Sequence, residues 1–120
     1  MKLVNILTPE MVYEEFQNSL EYSDKFTFDG ICGIFECLEE YYYETNEYVV
    51  LCKQKWVKTF HESENAVEFL KEMKLYKNFL KETKTNPDDE FILAKAYAYI
   101  ETMYHWAIIF PNKRVIVKVK

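Results

Sequence analysis

Apolar residues recur along this chain with two periods, and the alternation between them sets out its elements. After a short apolar run, KLVNIL, that reads as a strand, Val12, Phe16 and Leu20 return every four residues, one inward face of a helix. Thr8 is placed to cap that helix and Pro9 to take its first position. A second stretch is more strongly periodic. Phe28, Ile31, Ile34, Phe35, Leu38 and Tyr42 follow 3/4 spacing, with Thr27 as N-cap and Asp29 in the first turn. The run from Tyr48 to Phe60, rich in β-branched and aromatic residues, predicts a strand pair or one bent strand. Ser63 then reads as the cap of one long helix, with Ala66, Leu70, Met73, Tyr76, Phe79 and Leu80 on its inner stripe. Asn86 and Pro87 open another, followed by Asp88, Asp89 and Glu90 in its first turn. Two final strands, YHWAIIF and RVIVKVK, flank a PNK turn as a terminal β-hairpin.

The predicted order is β/α/α/β/α/α/β/β. Strands and helices do not alternate regularly, so the pattern predicts an α+β fold of about four helices with a small antiparallel sheet and a C-terminal β-hairpin. The 120 residues predict a single compact domain over 1–120. With 49% apolar and 18% aromatic residues, the chain has enough to bury one ordinary core. No apolar run reaches membrane-spanning length, and MKLVNILTPEM does not read as a signal peptide. Cys32, Cys37 and Cys52 make an odd set without ligand-like spacing. Reduced thiols and a cytoplasmic location are the expectation.

Charge changes the picture. Residues 1–50 carry 11 acidic side chains against two lysines, a net of −9, and residues 51–120 carry nine against 13 Lys/Arg, a net of +4. The acidic half would repel nucleic-acid phosphate, and a single arginine, Arg114, is poor equipment for reading bases, so no direct nucleic-acid partner is expected. The lysines of the second half are interleaved with glutamates, as on a solvated helix face.

Catalytic chemistry finds little support. His61 and His105 are the only histidines, and FHESE offers His61 only Glu62 and Glu64 as neighbouring ligands. No serine stands in a nucleophile-elbow context, and no glycine-rich loop opens a helix. The chain reads as a non-enzyme, with no catalytic residue, cofactor or metal. Gly30 and Gly33, its only glycines, lie inside a predicted helix, where each costs about 1 kcal/mol against alanine. Close approach of another element would explain them.

The segment FTFDGICGIFECLEEYYYETNEYVVL concentrates carboxylates and tyrosines. With the apolar stripe turned inward, Glu36, Glu39, Glu40 and Tyr43 fall on the outer side, and Glu44 and Glu47 extend the row. These six residues are the candidate partner-binding surface, where charge steers a basic partner and tyrosine adds rigid contact area.

The same segment resembles a family of small accessory proteins common in phages and other mobile elements. Their pattern runs F-S-Y-E-G-L, then a helix ending L-F-E-Y-L-E-E-Y-E-E-E-T-G. Phe26, Thr27, Phe28, Asp29, Gly30 and Ile31 match the opening, and Ile34, Phe35, Glu36, Leu38, Glu39, Glu40, Tyr41 and Thr45 the helix. KTFHESENAVEFL is similar to the middle of the family pattern and WAIIFPNKRVIVKVK to its tail. Asn46 stands where the pattern has glycine, and residues 71–104 have no counterpart. The resemblance implies an anti-defence role: inhibition of a host CRISPR or restriction factor by occlusion or by nucleic-acid mimicry. Two alternatives stay open: a small nucleotide-binding protein or enzyme acting on a signalling molecule, and a homo-oligomeric regulatory protein, such as a homodimer paired through RVIVKVK.

Overall fold

A computed structural model describes residues 8–45 and 53–120, with the backbone alone over 40–45. Six helices and three strands follow one another among these residues: α1 Pro9–Gln17, α2 Phe28–Thr45, α3 Lys53–Thr59, β1 Phe60–Ser63, α4 Ala66–Glu72, α5 Tyr76–Thr83, α6 Ile92–Met103, β2 Trp106–Ile109 and β3 Val115–Lys118. The fold is α+β, six helices with a three-stranded antiparallel sheet and a C-terminal hairpin. The expected first strand, KLVNIL, and the portion Tyr48–Cys52 of the second lie outside the described residues. The chain packs as two compact units, one running to His61 and taking in Val119–Lys120, the other Glu62–Lys118.

In the first unit, the Thr8 side chain accepts the Met11 N–H and Pro9 takes the first helical position, as the sequence predicts for α1. Val12 and Phe16 are fully buried, but α1 ends at Gln17 and Leu20 stands in solvent. Thr27 caps α2 by accepting the Gly30 N–H at 3.0 Å. Ile31 and Ile34 are buried, Phe35 and Leu38 half-buried, whereas Phe28, expected inward, is exposed and meets Tyr13 edge-on at 5.7 Å. Gly30 and Gly33 are both buried, neither has positive φ, and α1 packs against α2. The glycines therefore serve close packing, not an unusual backbone turn.

The segment 53–59 is helix α3, not strand. Its β-branched and aromatic content expresses a weak preference that burial overrides. The helix puts Trp56 inward, its ring 6.1 Å from Phe16 and 6.2 Å from Phe35, and Phe16 also meets Phe26 edge-on at 5.3 Å.

In the second unit, the single helix expected after Ser63 is two. Asn65, not Ser63, caps α4 by accepting the Glu68 N–H at 2.9 Å. Ser63 belongs to β1, and its hydroxyl donates to Glu72. The break between α4 and α5 is a Schellman turn. Leu75 N–H bonds the Leu70 carbonyl at 2.8 Å, Lys74 N–H bonds that of Lys71 at 3.1 Å, and Lys74 adopts φ 62°. Phe69, off the predicted stripe, is fully buried with Ala66, Leu70 and Phe79, while Met73, Tyr76 and Leu80 are half-buried. The third helix of the unit opens later than Asn86. A turn closes from Asp89 N–H to the Asn86 carbonyl, the Asp89 carboxylate accepts the Phe91 N–H at 2.7 Å, and α6 begins at Ile92.

The strand order is β1-β3-β2. β2 and β3 pair antiparallel with Trp106 opposite Lys118 and Ile109 opposite Val115. Val115, Ile116 and Val117 of β3, the central strand, alternate faces and are all fully buried, so both faces of that strand are covered. Both edges of RVIVKVK are occupied within the sheet, so it offers no free edge to a second chain.

Candidate protein-binding surface

The acidic surface is set by the pitch of α2. Ile31, Ile34 and Cys37 are buried, so residues about half a turn away must face outward. Glu36 and Glu39, three residues apart on one face, are both exposed. Among the described residues neither forms an ion pair. Glu40, Tyr43 and Glu44 lie on the last turns of the same helix and continue the row at helical spacing, but their side chains, and all of Glu47, lie outside the described residues.

This arrangement works against the helix that carries it. Like charges three and four residues apart cost about 0.2–0.5 kcal/mol per pair. α2 has no basic residue in its last turn, and Glu44 there opposes the negative end of the helix dipole. The acidic field extends beyond α2. Cys32 is half-buried, and its thiol pKa is raised first by burial, then by Asp29, Glu10 and Glu36. Side chains from α1 and α2 thus contribute negative potential at one place, and with burial as the larger cause they favour the protonated, weakly nucleophilic form of the Cys32 sulfur.

The division into units redistributes the charge relative to the two sequence halves. Residues 1–61 and 119–120 hold 11 acidic and six basic side chains, a net of −5, and residues 62–118 hold nine of each, a net of zero. The whole formal charge of the protein therefore belongs to the first unit. Lys53, Lys55 and Lys58 of α3 share that unit, and Lys53 approaches Glu15 at 3.6 Å, a largely exposed pair of small energetic worth.

The residues weighed for metal chemistry are arranged otherwise. Glu62 is buried, and its carboxylate accepts a 2.8 Å bond from Arg114 Nε across 52 residues of sequence. His61 is half-buried, Glu64 and His105 are exposed, and among the described residues no three His, Cys, Asp or Glu side chains group as metal ligands. The only arginine in the chain thus neutralises a buried carboxylate, a role that no local sequence signal announces. Among the described residues no helix is long and apolar enough to cross a membrane. Comparison with protein-family models, with curated proteins and with solved structures finds no match to this chain.

Proposed function

We propose that this protein is a non-enzymatic inhibitor from a phage or mobile element, which binds a host defence protein of CRISPR or restriction type through the acidic, tyrosine-bearing face of α2. The observation that carries this reading is the exposure of Glu36 and Glu39 on one face, without an ion pair among the described residues. Such a face lowers helix stability and needs a compensating use. A cationic partner supplies one: it is steered in by the field and gains contact with the row continued by Glu40, Tyr43 and Glu44. The host-defence context rests on the resemblance of the Phe26–Thr45 segment to mobile-element accessory proteins.

The test is affinity purification from a carrier host with the wild-type chain and with Glu36, Glu39 and Glu40 changed together to lysine. Loss of the captured partner from the triple variant supports the acidic face. Recovery at wild-type level removes that face as the site. Binding through it should also weaken steeply as salt rises from low to physiological ionic strength.

A further inference from the structure

Positive charge in the second unit is concentrated on α5. Residues 74–84 hold four lysines, Lys74, Lys77, Lys81 and Lys84, against one carboxylate, Glu82, a net of +3 within a unit whose own charge is zero. All four lysines are exposed. Lys77 and Lys81 stand two residues either side of the fully buried Phe79, so both lie on the face opposite the core, one turn apart. Lys74 precedes the helix in the turn from α4, and Lys84 is its C-cap. Three other cations of the unit are neutralised: Lys71 pairs with Glu68 at 3.6 Å, Lys95 with Asp89 at 2.7 Å and Arg114 with Glu62 at 2.8 Å. Among the described residues none of the four lysines about α5 has such a partner. Glu82 acts elsewhere: after burial, its charge is the next cause that raises the pKa of Tyr99 on α6.

Two costs go with this arrangement. Lys77 and Lys81, four residues apart, repel each other where a Glu–Lys pair would support the helix. Lys74 and Lys84 hold left-handed backbones, φ 62° and 53°, at positions where glycine or asparagine is usual. Lysine thus stands at both ends of α5 despite the backbone cost. We propose that the exposed face of α5 binds the phosphodiester backbone of nucleic acid without reading its bases. Four cations along a helix of about 12 Å meet a duplex that carries one charge per about 1.7 Å, and each phosphate neutralised releases condensed counterions. An acidic protein surface has no comparable atmosphere to release, and exposed ion pairs with it add little. Lysine is a flexible point charge suited to phosphate, whereas bidentate recognition of base edges falls chiefly to arginine. The expectation against a nucleic-acid partner rests on the acidic first half and the single arginine. α5 lies outside that half, and contact with the backbone needs no arginine.

The experiment is fluorescence anisotropy of a labelled, mixed-sequence DNA duplex titrated with the full chain at salt concentrations from about 20 to about 200 mM. The wild type is compared with a triple variant of α5, Lys77→Gln, Lys81→Gln and Lys84→Gln, and with a triple variant of α3, Lys53→Gln, Lys55→Gln and Lys58→Gln. The two variants lose the same charge and differ in where they lose it. Wild-type affinity should fall linearly with salt on logarithmic axes. The α5 variant should lose at least about tenfold in affinity at low salt, and its slope should flatten by about one for each lysine removed. The α3 variant should keep the wild-type slope. Absence of wild-type binding at low salt overturns the proposal, as do equal slopes for the two variants. Binding of labelled poly-glutamate in place of the duplex also overturns it, and assigns the face to an acidic protein. Acetylation of the wild-type chain with and without the duplex tests the face even where a variant fails to fold. Protection of Lys77 and Lys81 beyond that of Lys55 supports the proposal, and equal protection overturns it.

Discussion

Three lysines hold backbone conformations that glycine would hold at lower cost, and this can be measured. Lys74, Lys84 and Lys113 have φ of 62°, 53° and 78°, while the chain's two glycines have no positive φ. Lys74 sits at the left-handed position of the turn that separates α4 from α5. Lys113 closes the β2–β3 hairpin, bonding the Phe110 carbonyl at 2.8 Å, where a three-residue loop requires one left-handed residue. An L-residue there suffers a Cβ–carbonyl clash of about 1–2 kcal/mol. Replacing it with glycine removes the clash but adds about 0.4–1 kcal/mol of unfolded-chain entropy. The net expectation for Lys74→Gly is a stabilisation of about 0.5–1 kcal/mol, or a rise in Tm of several degrees for a domain of this size. Lys74→Ala is the control. It deletes the same charge and aliphatic stem but keeps the Cβ, so it should gain nothing. Urea unfolding followed by far-UV circular dichroism reads the difference between the two variants. A glycine variant no more stable than the alanine variant would refute the assignment of strain to this backbone position.

Other outcomes follow from the cores and the titrating groups. Phe16→Ala should destabilise the first unit by about 3–5 kcal/mol, since Phe16 is fully buried against Phe26 and Trp56. Trp56 fluorescence in a Trp106→Phe background reads that unfolding, and a loss below about 1 kcal/mol would place Phe16 outside the core. Cys32, Tyr97, Tyr99 and Tyr104 all have pKa values raised above the ordinary 9.0 for cysteine and 10.0 for tyrosine, chiefly by burial. The folded state therefore retains these protons longer than the unfolded chain does. The stability they contribute is complete below the ordinary values and is lost as pH climbs through the raised ones. Urea midpoints should fall between pH 8 and pH 11, and less steeply in Tyr104→Phe, which a pH-independent midpoint would contradict. Cys32 should react slowly with iodoacetamide at pH 8, and faster in Glu36→Gln, because removing a nearby negative charge favours the thiolate; equal rates would show that Glu36 contributes nothing to the field at the sulfur.

What the sequence determined by itself are features fixed within a few residues. Thr8 with Pro9, and Thr27 with its 3/4 apolar spacing, announce α1 and α2, because caps and helical periodicity are local. The outward placement of Glu36 and Glu39 follows from the same spacing, and the PNK turn between β-rich runs marks the hairpin. Tertiary structure decided what depends on distant partners. Residues 53–59 are helical where a helix presents Trp56 to Phe16 and Phe35, outweighing their strand propensity. Apolar spacing continues smoothly past Lys74, so it does not reveal that the helix turns there; Asn65 rather than Ser63 becomes the cap because Ser63 is held in β1. Strand order among the described residues placed β3 inside the sheet and β2 beside it, where the Tyr97 hydroxyl of α6 donates to the Ala107 carbonyl. The Arg114–Glu62 pair and the allotment of all net charge to one unit likewise depend on which segments meet in space. Spacing along the chain encodes a single helix's faces, but carries no record of that long-range pairing.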